Sequence, residues 1–131
     1  MKIHQLPVAL LATVLTFGAS GLFAASPEGV WQTEPDRKGQ IAHVKSTRCG
    51  TGYCGTIVKV FSASGTPVNA PTVGKRVFWD MTGTGATYTG QAFVPAHNRT
   101  YPGKMQVQGN RMKVSGCLGP VCQSQVWNRV R

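Results

Sequence analysis

The chain has 131 residues, with 14 Lys and Arg against 4 Asp and Glu, 4 Cys, 16 Gly and 41% apolar residues. That length holds one modest domain and excludes a long multidomain enzyme. A formal charge of +10 excludes an acidic disordered tail, and the composition fits neither a collagen-like repeat nor a polytopic membrane protein.

Residues 1–24 read as a targeting segment. Met1-Lys2-Ile3-His4 is a short basic start, residues 8–17 form an apolar run, and residues 18–25 are mostly small. This is the layout of a secretory signal peptide, with the cut expected after Ala24 or Ala25; the apolar run falls short of the roughly 20 residues that span a bilayer. No cysteine stands at the cut, so no lipid anchor is expected, and residues 25–131 are the expected mature domain, without a transmembrane anchor. Lys2 is the only basic residue removed, which leaves 13 basic and 4 acidic residues and a formal charge of +9. So small a domain buries a modest share of its surface, and cross-links are the expected supplement.

After the leader Val occurs thirteen times and Leu once, at Leu118, a usage that favours strands over helices. Eight strands are predicted in chain order, at 29–33, 40–46, 54–61, 75–81, 87–94, 99–108, 111–117 and 121–130. Met105 and Val107 alternate with Lys104, Gln106 and Gln108, and Met112 and Val114 alternate with Arg111, Lys113 and Ser115. Gly109-Asn110 between these two runs is a two-residue hairpin signal. Residues 62–74 are the longest loop and are expected to form a lid or rim.

Short links between successive strands imply an up-and-down meander. Eight strands of this kind close into a barrel, which removes both edges and leaves an interior that is either filled by side chains or holds one small ligand. The expected fold class is therefore all-β, a small antiparallel barrel of about eight strands.

The four cysteines occur as Cys49-x4-Cys54 and Cys117-x4-Cys122. Export makes disulfides the default, and of the three possible connectivities the local pairs Cys49 with Cys54 and Cys117 with Cys122 are favoured. Each would close a short Gly-containing hairpin loop and contribute no more than about 2 kcal/mol. A metal site would need a tighter cluster of ligands than this spacing and the distant His43 and His97 supply, so none is expected.

Several motifs recur in one order: Gly29-Val30-Trp31, then Cys49-Gly50 with Cys54-Gly55-Thr56-Ile57-Val58, then Thr100-Tyr101, and last Trp127-Asn128-Arg129-Val130. Over residues 27–131 the chain resembles domain-of-unknown-function family 2147, small secreted bacterial proteins whose fold type is a lipocalin-like or fatty-acid-binding-like barrel. The resemblance transfers no catalytic role. It implies that Trp31 packs near a closed end beneath Arg129 of the last strand, a structural pairing of a cation with an indole face worth about 0.5–2 kcal/mol. There are departures. The frequent Asp-Pro-x-x-Gly-Lys-Thr-Tyr stretch reads Val94-Pro95-Ala96-His97-Asn98-Arg99-Thr100-Tyr101 here, which removes the Asp carboxylate and puts Asn98 at the turn glycine. Asn tolerates left-handed backbone angles, so the turn is expected to survive. Tyr88 replaces a frequent Trp.

Chemistry is sparsely supplied. Glu28, Glu34, Asp36 and Asp80 are the only carboxylates, three of them crowded near the start of the mature chain. His43 and His97 are expected at the surface or rim, the cysteines are expected to be oxidised, and no phosphate-cradling glycine loop precedes a helix. No catalytic residue and no cofactor are expected. The thirteen cations attract anions, and in an envelope compartment those are lipid phosphates, acidic polysaccharide and acidic proteins; nucleic acid is not an expected partner.

Arg76, Trp79, Tyr88, Phe93, Arg99 and Tyr101 are the candidate ligand contacts, lining an apolar cavity with an arginine at its mouth; the same aromatic residues would equally fill an ordinary core. The functional expectation is a periplasmic or secreted non-enzymatic barrel that binds a small anionic or amphipathic ligand or an anionic envelope surface. The alternative is a protein-binding or inhibitor module that uses its hairpin loops.

Overall fold

The computed structural model describes residues 26–131 together with 12 and 13, so the expected leader, residues 1–24, and its cut lie outside the described residues. Among the described residues the strands are β1 (Gly29–Gln32), β2 (Ile41–Cys49), β3 (Gly52–Phe61), β4 (Pro67–Val68), β5 (Arg76–Thr84), β6 (Thr87–Val94), β7 (Arg99–Gln108), β8 (Arg111–Leu118) and β9 (Val121–Arg129), with one 3-10 turn at Pro95–His97. All pairings are antiparallel in the order β2-β1-β9-β8-β7-β6-β5-β3-β4, and β2 also pairs with β3. Eight strands thus close into an up-and-down barrel, and the two-residue β4 lies along β3.

Each strand expected from the sequence is present, and the ends shift where turn chemistry intervenes. The β2–β3 ladder runs on to a Cys49↔Gly52 pair, past the expected ends, because Gly50 adopts φ +59° in the tight turn and the Cys49–Cys54 bridge holds the strands together. The expected lid loop is not structureless, since Pro67 and Val68 pair with Phe61 and Val60. Asn98 takes φ +47°, so the turn before β7 survives the loss of glycine.

Period-two alternation sorts the walls. Gly103, Met105 and Val107 of β7 are buried, while Pro102, Lys104, Gln106 and Gln108 face water. β5 departs from it: the register to β6 shifts between Trp79 and Thr82, and Asp80 takes φ +52°. Such a bulge re-aims the next side chain, and Phe78 and Met81, three residues apart, are both fully buried.

Of the two interiors open to an eight-stranded barrel, the filled one is observed. Trp31, Val44, Phe78, Met81, Met105, Val107 and Met112 are all essentially inaccessible and form one cluster with Trp127. The Phe78 ring lies directly on the Cβ-less face of Gly55, and the Met81 methyl group fills the space over Gly103, where a Cβ would come within 2.8 Å of it. Glycines facing inward let long side chains cross the middle of the barrel.

Candidate functional site

The two ends of the barrel are built differently. The lower end carries β1's entry, the C-terminus and the turns at 50–51, 85–86 and 109–110. There the structure brings Trp31 and Arg129 together: they are cross-strand partners, and the guanidinium carbon lies 4.3 Å from the indole centroid. Arg129 Nη1 donates to the Glu28 carbonyl and Nη2 to the carbonyls of Ser26 (2.8 Å) and Gly109 (3.4 Å), while Trp31 Nε1 donates to Pro27 O at 2.8 Å. One side chain therefore joins the incoming chain, the last strand and the β7–β8 turn.

The six candidate ligand contacts do not converge. Tyr88 faces inward near the lower end, with its ring edge-on to Tyr53 (5.6 Å), its hydroxyl donating to Gly85 O (3.2 Å), and Arg48 over Tyr53 at 5.5 Å. Burial pushes the Tyr88 phenol up, Tyr53 adds to the shift, and Arg48 opposes it. Arg99 and Tyr101 sit at the opposite end, where Arg99 lies 5.8 Å from the Tyr101 ring and the Tyr101 hydroxyl is 2.9 Å from His97 Nδ1.

Trp79 pairs with Gln91 and Phe93 with Thr100, positions whose neighbours Phe78 and Ala92 are the buried ones, so both aromatics point away from the core. Phe93 carries Lys75 on its ring at 5.3 Å, and Arg76 is exposed at the start of β5. The sequence set the right residue types, but the Asp80 bulge fixes the phase of β5, and nothing local announces it.

Among the described residues neither His43 nor His97 meets an acid. His43 Nε2 lies 3.2 Å from Gln32 Oε1 and its ring packs on Phe61 (4.8 Å). Partial burial lowers its pKa first, and the charges of Arg131 and Lys59 lower it further. Among the described residues no lysine or arginine approaches a carboxylate within 4.0 Å, so the positive surface is not neutralised internally. Two concavities lie on the outer wall, about 350 Å³ over Thr89, Gln91, Pro102, Lys104 and Cys117, and about 280 Å³ beside Val58, Val68 and Val73.

The upper end holds two features that periodicity could not reveal. Leu118 and Val121, at the tip of the β8–β9 hairpin closed by Cys117–Cys122, are 64% and 68% exposed. Beside them the barrel seam is open: among the described residues β1 meets the last strand at Trp31↔Arg129 and Gln32↔Asn128, with Val30 bonded to Val130 and Arg131 just below, and residues 121–126 of β9 are all exposed. The cause is in β1's continuation. Pro35 offers no N–H, and Asp36 Oδ1 accepts from the N–H groups of Lys38 (2.8 Å) and Gln40 (2.9 Å), a turn that leads the chain back into β2 instead of up along β9. The sequence signal was Pro35-Asp36 through Gly39.

Both expected disulfides are formed, which marks an extracytoplasmic chain, and among the described residues no helix is long and apolar enough to cross a membrane. The family model described as "Uncharacterized protein conserved in bacteria (DUF2147)" matches residues 29–129. A solved structure described as "Protein HP1028 from the human pathogen Helicobacter pylori belongs to the lipocalin family" matches with a TM-score of 0.64 over 82% of this chain and 84% of that one, at 14% identity. That likeness is one of fold. No curated protein matches the chain.

Proposed function

The chain belongs to the DUF2147 family, and on that premise we propose that it is a non-enzymatic binding module of the periplasm or the extracellular space, engaging an anionic partner on its outer surface and not in an internal cavity. The observation that carries this reading is a formal charge of +9 on the expected mature domain, with no cation held by a carboxylate among the described residues, spread over a barrel whose interior is occupied by its own side chains. A small amphipathic ligand would have to displace Phe78 or the buried methionines to enter. The reading as a protein-binding module has its own support in the exposed Leu118 and Val121, an apolar tip on a cross-linked hairpin.

The test is co-sedimentation of the mature protein with phosphatidylglycerol-containing vesicles, phosphatidylcholine vesicles and an immobilised acidic polysaccharide. Retention on the anionic probes, lost as salt rises towards 1 M and the screening length shrinks to about 3 Å, is the expected result. Retention that ignores salt, or equal retention on phosphatidylcholine, would overturn the reading.

A further inference from the structure

We propose that the upper edge of β9 is a docking site for an extended acidic segment of another protein, which adds as a strand and continues the wall where β1 stops. The acidity of the partner rests on the anionic-partner reading; the strand geometry does not.

The backbone defines the site. In an antiparallel ladder, residue pairs alternate between those that bond each other, with Cα atoms about 5.5 Å apart, and those that do not, about 4.5 Å apart. Cys117 and Cys122 are direct partners with Cα atoms 4.0 Å apart, a pair of the second kind. The N–H and C=O of Cys122 therefore point away from β8, and so do those of Ser124 and Val126. The hydrogen bonds lower in the strand agree: Arg129 N–H donates towards the β8 side, to Asn110 O (2.8 Å), and Val130 N–H donates to Val30 O on the β1 side (2.8 Å). Asn128, next in the even series, is already paired with Gln32. Among the described residues, Cys122, Ser124 and Val126 thus present three N–H and three C=O groups that no backbone group meets.

Edges of this kind are ordinarily blunted with lysine, proline or a bulge. Residues 121–126 read Val-Cys-Gln-Ser-Gln-Val and hold none of these, and the β8–β9 register runs unbroken from Leu118↔Val121 to Arg111↔Asn128. The edge is straight, uncharged and cross-linked at its tip, which lowers the entropy lost on pairing.

Charge selects the occupant. Lys113 is the exposed cross-strand partner of Val126 and Arg111 that of Asn128, so both cations stand on the outer face one strand in from the edge. Lys104 stands one strand further, opposite Ser115. Glu or Asp at alternate positions of an added strand would face this row, whereas a second copy of this chain would bring the same positive charges to it.

The probe is a capped nine-residue peptide of alternating Val and Glu, compared with the same peptide N-methylated at alternate amides, titrated into the full mature protein and followed by amide hydrogen exchange. Binding of the first peptide, with exchange at Cys122, Ser124 and Val126 slowed at least about tenfold, is the expected result, together with a loss of affinity of about tenfold or more for the N-methylated form. Ser124→Pro removes one outward N–H and, with it, the 2.7 Å hydroxyl contact to Ser115 of β8, so it is compared with Ser124→Ala, which loses only the hydroxyl contact; the proline form should weaken binding to a similar degree and the alanine form should not. Val126→Glu keeps every N–H, sets a like charge beside the site, and should weaken it as well.

Equal binding of both peptides would overturn the strand inference and leave the anionic reading standing. Binding of neither peptide would overturn it too, with the vesicle and polysaccharide assay deciding the other reading separately. Protection of the same three amides in the protein alone, with sedimentation as a dimer, would show a second copy on the edge and would also overturn the proposal.

Discussion

The lower and upper halves of β9 share one neighbour, β8, along their whole length, and differ in what stands on the other side. Below, Asn128 and Arg129 pair with β1, and the Arg129 guanidinium gathers three carbonyls over the Trp31 ring. Above, residues 121–126 face water. The barrel is therefore closed on that side by two residue pairs, the backbone bonds of Val30 to Val130 and Arg131, and one cation–indole contact, and the same strand is both a sealed wall and a free edge. Closure of a small barrel need not be uniform. It needs enough pairing at one end to hold the core, and the other end is then free to present backbone.

The sharpest way to break that contrast is to remove the seal. Trp31 is wholly buried, and Trp31→Ala should destabilise the fold by about 3–5 kcal/mol, the usual cost of emptying a large aromatic site. For a domain of this size that lowers the thermal midpoint by more than about 10 °C, measured by the loss of near-ultraviolet circular dichroism. If the upper end is independent of the seal, the amides of β1 and the lower half of β9 lose protection first in the mutant, and the β7–β8 ladder amides exchange last. A midpoint within a few degrees of the parent would show that the β2–β3 and β5–β9 walls hold the core without the β1 seam.

The closed end was legible in the sequence and the open one was not. Gly29-Val30-Trp31 and Trp127-Asn128-Arg129 are local motifs whose chemistry, an indole beneath a guanidinium, depends on residue type alone, and the structure pairs them. Strand positions were legible for the same reason, since Met105, Val107, Met112 and Val114 keep a strict period of two. Two things depend on register instead. The bulge at Asp80 sets which of Phe78 and Trp79 enters the core, and a residue at φ +52° carries no mark in a sequence that does not place glycine there. That phase turns Trp79 outward, while Tyr88 near the start of β6 and Arg99 and Tyr101 at the start of β7 are separated by lying at opposite ends of the barrel. The open seam is a matter of where β1 stops, and while Pro35-Asp36 marks the end of a strand, nothing in it tells that β9 outruns its partner.

A smaller effect sharpens the contrast at the upper end. Replacing Cys117 and Cys122 together by Ser opens a loop of few residues, and the loss of unfolded-state constraint is about 2 kcal/mol at most. The consequence for exchange should be larger than the consequence for stability, because the hairpin tip has no second neighbour on the β9 side. Amides of Leu118 to Gln123 should lose their protection well before those of β6 and β7. Uniform loosening across all strands would mean that the tip is coupled to the core and not to its own cross-link.

The smallest effect reports on the seam through charge. His43 stands on β2 opposite Gln32 of β1, and its pKa is lowered by burial first, then by Arg131 and Lys59. Arg131 is near it only because the β1–β9 pairing brings the C-terminal residues in, with Val30 N–H bonded to the Arg131 carbonyl. A base whose folded pKa lies below its unfolded value of 6.5 is neutral in both states above that value. As pH falls below 6.5 the unfolded chain takes up its proton first, so stability is lost from there down to the folded pKa and then levels off. The side chain is only partly buried and solvent screens it, which holds the loss to about a few tenths of a kcal/mol. His43→Gln should remove this component, seen as a flatter denaturation midpoint between pH 7 and 5 than in the parent. Deleting Arg131 should move the His43 titration, followed by its ring resonances, part of the way back towards 6.5. If neither change alters the titration, the charge of the C-terminal residue does not reach β2 in solution and the lower seam is looser than its hydrogen bonds imply.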